Sequence, residues 1–126
     1  MKPAGIHHVS INVSDLASAR DFYVGTLGCD ERSDRPTFDV DGAWLDVGGQ
    51  QVHLIVAEPP VFLGQHFAML VDDVAASVDE LRASGIRVST PAPVGTGLQS
   101  FLRDPFGNVV ELNQPARGLS LSSSPE

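Results

Sequence analysis

The sequence has 126 residues, with eight Lys and Arg against sixteen Asp and Glu, a formal net charge of −8 and a pI near 4.7. This length fits one ordinary domain with a real hydrophobic core, and 42% hydrophobic with 19% charged residues indicates a globular rather than a disordered chain. The negative balance argues against nucleic acid or an anionic membrane surface as a partner, because both repel an acidic protein.

The same composition bears on the cellular compartment. No apolar run approaches the roughly 20 residues that span a bilayer, and the first residues lack the apolar core of a signal peptide. Cys29 is the single cysteine, so neither an intrachain disulfide nor a Cys-based zinc site is expected. We therefore expect a cytoplasmic protein without a membrane partner.

The first half of the chain predicts a strand, a helix and three further strands. Residues 6–13 alternate between apolar and polar side chains, as is typical of a half-buried strand. Ser14-Asp15 supplies a helix N-cap, and Gly28 stands where helices commonly end. Three strands are then predicted over residues 37–40, 43–47 and 51–57, with Asp41-Gly42 and Gly48-Gly49 as the turns between them.

The second half repeats this order of elements. It predicts a strand over residues 66–71, a helix capped by Asp72-Asp73 and ending near Gly85, and strands over 86–89, 98–103 and 108–113. A repeat of this kind predicts two similar modules, 5–58 and 65–114. The expected architecture is α+β, with two βαβββ modules in a single domain over 1–115 and a flexible C-terminal tail over 116–126.

Four potential metal ligands follow the repeat. His8 and His66 open the two modules and are 58 residues apart (66 − 8 = 58), and His53 and Glu111 lie in the closing strands with the same separation (111 − 53 = 58). If the modules pair about a pseudo-twofold axis, equivalent strands meet around one concave face. His8 would then face His66, and His53 would face Glu111.

The residue types of this set favour a transition-metal ion. Imidazole nitrogens and a carboxylate suit zinc, nickel, iron, cobalt or manganese, whereas calcium and magnesium favour all-oxygen shells. A buried Glu111 in an apolar strand is costly unless it meets a cation or a hydrogen-bond donor. Each histidine alone is more often a surface or hydrogen-bonded residue, and Glu111 alone fits a salt contact with Arg103, so the joint spacing carries the hypothesis.

Several segments together resemble the vicinal oxygen chelate superfamily, which includes glyoxalase I, methylmalonyl-CoA epimerase, extradiol dioxygenases, and fosfomycin and bleomycin resistance proteins. The resemblance covers residues 5 to about 114, and the last of its segments is the most specific. The segments are HVSINVSDL at 8–16, Phe22-Tyr23, Leu27-Gly28, HFA at 66–68 and DPFGNVVEL at 104–112.

The resemblance implies βαβββ modules that form a curved mixed sheet around a metal cavity. It places the family's first-strand, fifth-strand and last-strand ligands on His8, His66 and Glu111. The fourth-strand ligand is Glu or Gln in the glyoxalase and epimerase branches and falls on His53 here. The bleomycin-binding branch typically lacks the metal set, so these ligands argue against a metal-free binder.

The implied activity is that of a divalent-metal-dependent lyase or isomerase. The ion would chelate two neighbouring oxygens of a small substrate and stabilise an enediolate-like intermediate, with Glu111 also acting as the proton shuttle. Pocket-lining roles are expected for Trp44, Phe101 and Arg103, although Trp44 also fits a core position and Arg103 a surface charge or a salt bridge.

Two alternative functions remain open, and the resemblance also bears on the oligomeric state. One alternative is an Fe(II) extradiol-type dioxygenase that uses His8, His66 and Glu111. The other is a resistance-type protein whose acidic surface holds a cationic drug. The resemblance favours a homodimer, with the modules pairing within one chain or across two.

Overall fold

The structure, a computed structural model, describes residues 1–116. The chain divides into two compact units, of which the first comprises Met1–Phe62 with Asp104–Asn108, and the second comprises Leu63–Arg103 with the chain from Val109 onward. Each unit holds one four-stranded sheet and one helical segment in the order βαβββ, so the predicted α+β architecture of two modules is confirmed. The predicted tail, apart from residue 116, lies outside the described residues.

The first unit contains strand β1 and helix α1, followed by strands β2 to β4. Helix α1 continues directly into a π-helical segment, Asp21–Thr26. In the sheet the strand order is β1-β4-β3-β2, with β1 and β4 parallel and the other pairs antiparallel. The bounds are β1 His8–Val13, α1 Leu16–Arg20, β2 Asp30–Glu31, β3 Gly42–Val47 and β4 Gln50–Val56.

The second unit repeats this topology with strands β5 to β8 and helix α2. The order in its sheet is β5-β8-β7-β6, again with the first pair parallel and the others antiparallel. The bounds are β5 Phe67–Leu70, α2 Val74–Ala83, β6 Ala92–Val94, β7 Gly97–Arg103 and β8 Val109–Gln114. No helix within residues 1–116 is long and apolar enough to cross a bilayer.

Both helices begin at the aspartates that the sequence predicts. The side chain of Asp15 accepts a hydrogen bond from the backbone N–H of Ser18 at 3.2 Å, and that of Asp73 accepts one from Ala76 at 3.0 Å. These bonds satisfy backbone donors that the first turn of a helix leaves without a partner. The caps therefore fix where each helix starts after the first strand of its unit.

The alternation in β1 separates an apolar face from a polar one. Val13 on β1, Leu45 on β3 and Leu54 on β4 are almost fully buried, whereas His8 and Ser10 on the other face of β1 are exposed. Because alternate residues of a strand point to opposite faces, β1 places its polar side chains on the face where the site was expected.

A buried hydrogen-bond network holds the Asp104–Asn108 turn in the first unit. The hydroxyl of Tyr23, which is completely buried, donates to Oδ2 of Asp104 at 2.7 Å. The backbone N–H groups of Phe106 and Asn108 donate to Oδ1 of Asp104 at 2.9 and 2.8 Å. The buried carboxylate is thus satisfied by several donors, which is the condition for burying it at tolerable cost.

The strand predicted over residues 37–40 and the Asp41-Gly42 hairpin turn are wrong. The segment is irregular, Gly42 begins β3, and the edge position is taken by β2. Nη2 of Arg35 donates to the carbonyl of Val40 at 3.0 Å, so a side chain rather than a strand partner satisfies this backbone. Gly42 has no positive φ; its role is close contact, since a Cβ there would lie 2.2 Å from the carbonyl oxygen of Leu54.

The strand predicted over residues 86–89 is also wrong. Only the bridge between Val88 and Leu102 forms, and the edge strand is β6. Side chains again replace ladder hydrogen bonds, because Nη2 of Arg82 donates to the carbonyl of Val88 at 2.9 Å and Oγ of Ser89 accepts from the N–H of Phe101 at 2.8 Å. The remaining predicted strands form with small shifts in their bounds.

Candidate metal centre

The first unit brings His8 and His53 together on the polar face of its sheet. Their rings are stacked, with centroids 3.9 Å apart and planes 12° from parallel. Trp44, which pairs with His53 across β3 and β4, stacks on the same imidazole at 4.5 Å and 11°. Since β4 lies between β1 and β3, His53 is enclosed between the other two rings.

His53 is buried and has a defined hydrogen-bond partner. Its Nε2 lies 2.8 Å from Oε1 of Gln51, two positions earlier on the same face of β4. Burial lowers the pKa of His53, and the positive charges of His8, His7 and nearby arginines lower it further. The neutral imidazole, which is the form that binds metals, is therefore favoured at this position.

The stacked arrangement of His8 and His53 determines whether both rings can bind the same metal ion. The nitrogen lone pairs of imidazole lie in the ring plane, so two parallel stacked rings direct their lone pairs side by side. For both to bind the same ion, one ring must turn. His53 is buried and hydrogen-bonded whereas His8 is exposed, so His8 is the ring with room to turn.

The second unit brings His66 and Glu111 into direct contact. Nε2 of His66 lies 3.0 Å from Oε1 of Glu111, and Nδ1 of His66 lies 2.9 Å from the carbonyl oxygen of Gly64. A carbonyl only accepts, so Nδ1 carries a proton, and an ionised carboxylate facing Nε2 requires a second proton there.

The surroundings raise the pKa of His66. The hydrogen bond to the Gly64 carbonyl is the largest cause, followed by the hydrogen bond to Glu111. Both partners favour the protonated ring, and burial opposes them only in part. A divalent cation can replace the Nε2 proton, because that nitrogen and Oε1 of Glu111 then present lone pairs toward each other.

Glu111 is buried in β8 and is held at its second oxygen as well. Nδ2 of Asn113 donates to Oε2 of Glu111 at 2.9 Å. Phe101 pairs with Glu111 across β7 and β8, and its ring meets that of His66 edge-on, with centroids 5.6 Å apart. This donor set fits a metal ion well, since a carbonyl orients the histidine and an amide orients the carboxylate.

Each unit thus places an aromatic side chain beside its ligand pair. Trp44 lies next to His53 in the first unit, and Phe101 lies next to Glu111 in the second, each from the strand before the closing one. Arg103 lies on the same strand as Phe101 and is exposed. Among residues 1–116, no group of three or more His, Cys, Asp or Glu side chains is arranged to hold a metal ion.

Two polar contacts of the site were not predicted from the sequence. Gln51 and Asn113 each lie two positions from a predicted ligand, on the same face of the same strand. The alternation of strand residues therefore contained a signal for both. The carbonyl of Gly64 left no such signal, because its position depends on the loop before β5.

Comparison with protein families identifies the class of the chain. Residues 5–112 match the model of the Glyoxalase/Bleomycin resistance protein/Dioxygenase superfamily. The chain belongs to this superfamily, as the resemblance in the sequence implied.

Individual relatives are distant. A probable lactoylglutathione lyase of Vibrio cholerae is 28% identical over 86% of this chain and 89% of its own. A chloroplastic probable lactoylglutathione lyase of Arabidopsis thaliana is 31% identical over 83% of this chain, which spans only 34% of that protein. The crystal structure of an antibiotic binding protein from a Streptomyces species is 31% identical, with a TM-score of 0.75 over 92% of this chain and 99% of its own.

Proposed function

We propose that the chain is a divalent-metal-dependent enzyme of the glyoxalase type, a lyase or isomerase. It would act on a small molecule with two neighbouring oxygens, in the cytoplasm and as a homodimer. The observation that carries this proposal is the pairing of a carbonyl-oriented histidine with a buried carboxylate in the second unit. The proposed metal ligands, for Zn, Ni, Fe(II), Co or Mn, are His8, His53, His66 and Glu111.

The contacts of His66 and Glu111 support a metal site more strongly than an ordinary salt bridge between the two residues would. A histidine whose Nδ1 donates to a carbonyl has its other nitrogen fixed in direction, which is the usual support of a metal-binding imidazole. Glu111 is buried and its second oxygen is occupied by Asn113. That the two ligand pairs share one ion is inferred from the 58-residue spacing and from membership of the superfamily.

The residues of this chain suggest distinct roles in the reaction. When bound, the metal would act as a Lewis acid toward two neighbouring oxygens of the substrate. Oε2 of Glu111 is held by Asn113, whereas Oε1 faces Nε2 of His66. Oε1 is therefore the atom that we propose accepts the substrate proton and returns it. Trp44, Phe101 and Arg103 are proposed to contact the substrate.

One observation favours the dioxygenase alternative. His53 is held in its stack and bonded to Gln51, which leaves His8, His66 and Glu111 as a set of two histidines and one carboxylate. Such a triad with open positions is typical of non-haem Fe(II) oxygenases. The drug-binding alternative draws on the antibiotic binding protein among the relatives and on the aromatic stack of the first unit.

The first test is metal analysis of protein purified without chelators, together with two ligand variants. We expect His8→Ala and Glu111→Ala each to lower the bound metal by more than about tenfold while the circular dichroism spectrum stays native, because each removes a proposed ligand. Glu80→Ala is the matched control for Glu111→Ala, since Glu80 is exposed on α2. Full metal occupancy in both ligand variants would refute the site.

The metal and the reaction then separate the alternatives. Formation of S-lactoylglutathione, lost in Glu111→Ala, supports the lyase. Bound iron with oxygen uptake on a catechol supports the dioxygenase. Tight binding of a cationic drug by metal-free protein, unchanged in Glu111→Ala, would replace both enzyme proposals by the binding protein.

A further inference from the structure

A second candidate site lies in the first unit and contains none of the predicted ligands. A cleft of about 290 Å³ opens between the irregular segment that follows β2 and the start of β3, and none of the four proposed metal ligands lines it. Three guanidinium groups do, in a chain whose net charge is −8. They belong to Arg20, Arg32 and Arg35.

Carboxylates of the protein neutralise two of the three guanidinium groups. Nε and Nη2 of Arg20 donate to the two oxygens of Glu31 at 2.9 and 3.1 Å. Arg32 binds Asp34 at 2.7 Å and Asp46 at 2.9 Å. These pairs build the wall of the cleft and leave little positive charge for a ligand.

The third guanidinium, that of Arg35, has no carboxylate within ion-pair distance among residues 1–116. It is nevertheless held in place. Nη2 donates to the carbonyl of Val40 at 3.0 Å, and Cζ lies 4.9 Å from the centroid of the Phe38 ring. The absence of a side chain at Gly42 leaves space for the Arg35 guanidinium, since a Cβ at Gly42 would lie 2.9 Å from Nη2 of Arg35.

We propose that this cleft binds the carboxylate of a small aromatic acid, with Arg35 as the anion receptor and Phe38 as the aromatic contact. A guanidinium presents paired donors that match the two oxygens of a carboxylate, and an anchored one loses little freedom on binding. The Phe38 ring is half exposed and lines the cleft, so it offers an aromatic contact to a ligand ring.

The charge of the cleft favours a monoanion over a phosphate. Arg35 is the one lining guanidinium without an ion pair among residues 1–116, and the carboxylates of Glu31 and Asp41 also line the cleft. A phosphate dianion would face these carboxylates with a second charge that nothing offsets. The site does not depend on the proposed metal function, because it contains no proposed ligand.

Benzoate is the probe for this proposal, with benzamide as its uncharged analogue and inorganic phosphate as the competing anion. We expect benzoate to shift the amide resonances of residues 31–43 in a nitrogen-15 correlation spectrum of chelator-treated protein. Arg35→Gln should weaken binding about tenfold or more, as expected for losing charge-assisted hydrogen bonds. Arg87→Gln is the control, because Arg87 is exposed in the second unit and does not line the cleft.

A measurement on the unaltered protein covers the case in which Arg35→Gln fails to fold. Nuclear Overhauser contacts between the benzoate ring and the Phe38 ring are expected if the ligand occupies the cleft, and their absence at saturation would refute the proposal. Equal shifts with benzamide, equal weakening in Arg87→Gln, or shifts with phosphate but not with benzoate would also refute it. Because metal-free protein is used, failure of this test leaves the metal proposal standing, and failure of the metal proposal leaves this one standing.

Discussion

At the scale of single residues, His53 and His66 are placed in opposite surroundings. His53 is buried between two rings near positive charges, which lowers its pKa, whereas His66 faces a carbonyl and a carboxylate, which raise its pKa. The first arrangement favours the neutral ring and the second favours the imidazolium. The two predicted ligands should therefore respond to pH in opposite directions when no metal is bound.

We predict that, in chelator-treated protein, NMR titration places the pKa of His66 above the usual value of about 6.5 and that of His53 below it. Glu111→Gln should lower the pKa of His66, because the amide removes the negative partner. The stability from the His66 pair is fully present below the usual value and is lost as the pH rises through the raised pKa. The contribution of His53 is present above the usual value and is lost as the pH falls toward the lowered pKa.

An unchanged pKa of His66 in Glu111→Gln would mean that the pair does not form in solution. A pKa of His53 above that of His66 would contradict the stacked, buried position of His53.

At the scale of elements, one glycine in each unit permits a close approach between strands. Gly42 begins β3 and Gly97 begins β7, and a Cβ at either position would lie 2.2 Å from a backbone carbonyl oxygen, of Leu54 and Gln114 respectively. Neither glycine has a positive φ, so the requirement is space and not backbone conformation. Equivalent strands of the two units, β3 and β7, therefore both begin with a glycine that leaves room for a neighbouring carbonyl oxygen.

We predict that Gly42→Ala and Gly97→Ala each lower the free energy of unfolding by about 1–3 kcal/mol, because the strands must move apart to admit a methyl group. Urea denaturation followed by circular dichroism measures the change. Gly25→Ala is the control, since nothing lies within 4 Å of its Cβ position and its φ is not positive. A similar loss of stability in Gly25→Ala would show that the cost is not one of strand contact.

The elements also show what the sequence can predict. The caps at Asp15 and Asp73 and the turn at Gly48-Gly49 are local signals, and all three are confirmed. The edge strands β2 and β6 were not predicted, because both are short and each pairs only with the next strand along the chain. In the segments predicted instead, arginine side chains bond to backbone carbonyls. A Gly-containing hairpin signal such as Asp41-Gly42 does not distinguish a turn from a close strand contact.

For the candidate site, the sequence predicts which residues take part but not their detailed contacts. The 58-residue spacing selected the four residues, and the structure places them in contact as His8 with His53 and His66 with Glu111, one pair in each unit. That His8 faces His66 and that His53 faces Glu111 stays a prediction. The stacking of Trp44 on His53 and the contact of Phe101 with His66 depend on strand register, which the sequence pattern left open. The cleft around Arg35 was not predicted, because it is lined by the irregular segment over which the sequence predicts a strand.

At the scale of the whole molecule, the repeat is regular in topology and unequal in chemistry. The first unit contributes two histidines and the second contributes a histidine and a carboxylate. Two neutral imidazoles alone bind a divalent cation without offsetting its charge, whereas the second pair supplies a negative charge. A single ion bound by both pairs would have its charge partly offset by Glu111 and would gain two further nitrogen ligands from His8 and His53.

This proposal predicts one divalent cation per chain, measured by native mass spectrometry together with elemental analysis. His8→Ala and Glu111→Ala should each reduce this stoichiometry toward zero, because each removes a ligand of the same ion. Bound metal should also stabilise the fold, by about 4 kcal/mol at a free concentration a thousand times the dissociation constant, and chelation should reverse this gain. Two cations per chain, with each variant losing only one of them, would show instead that the pairs act as separate sites.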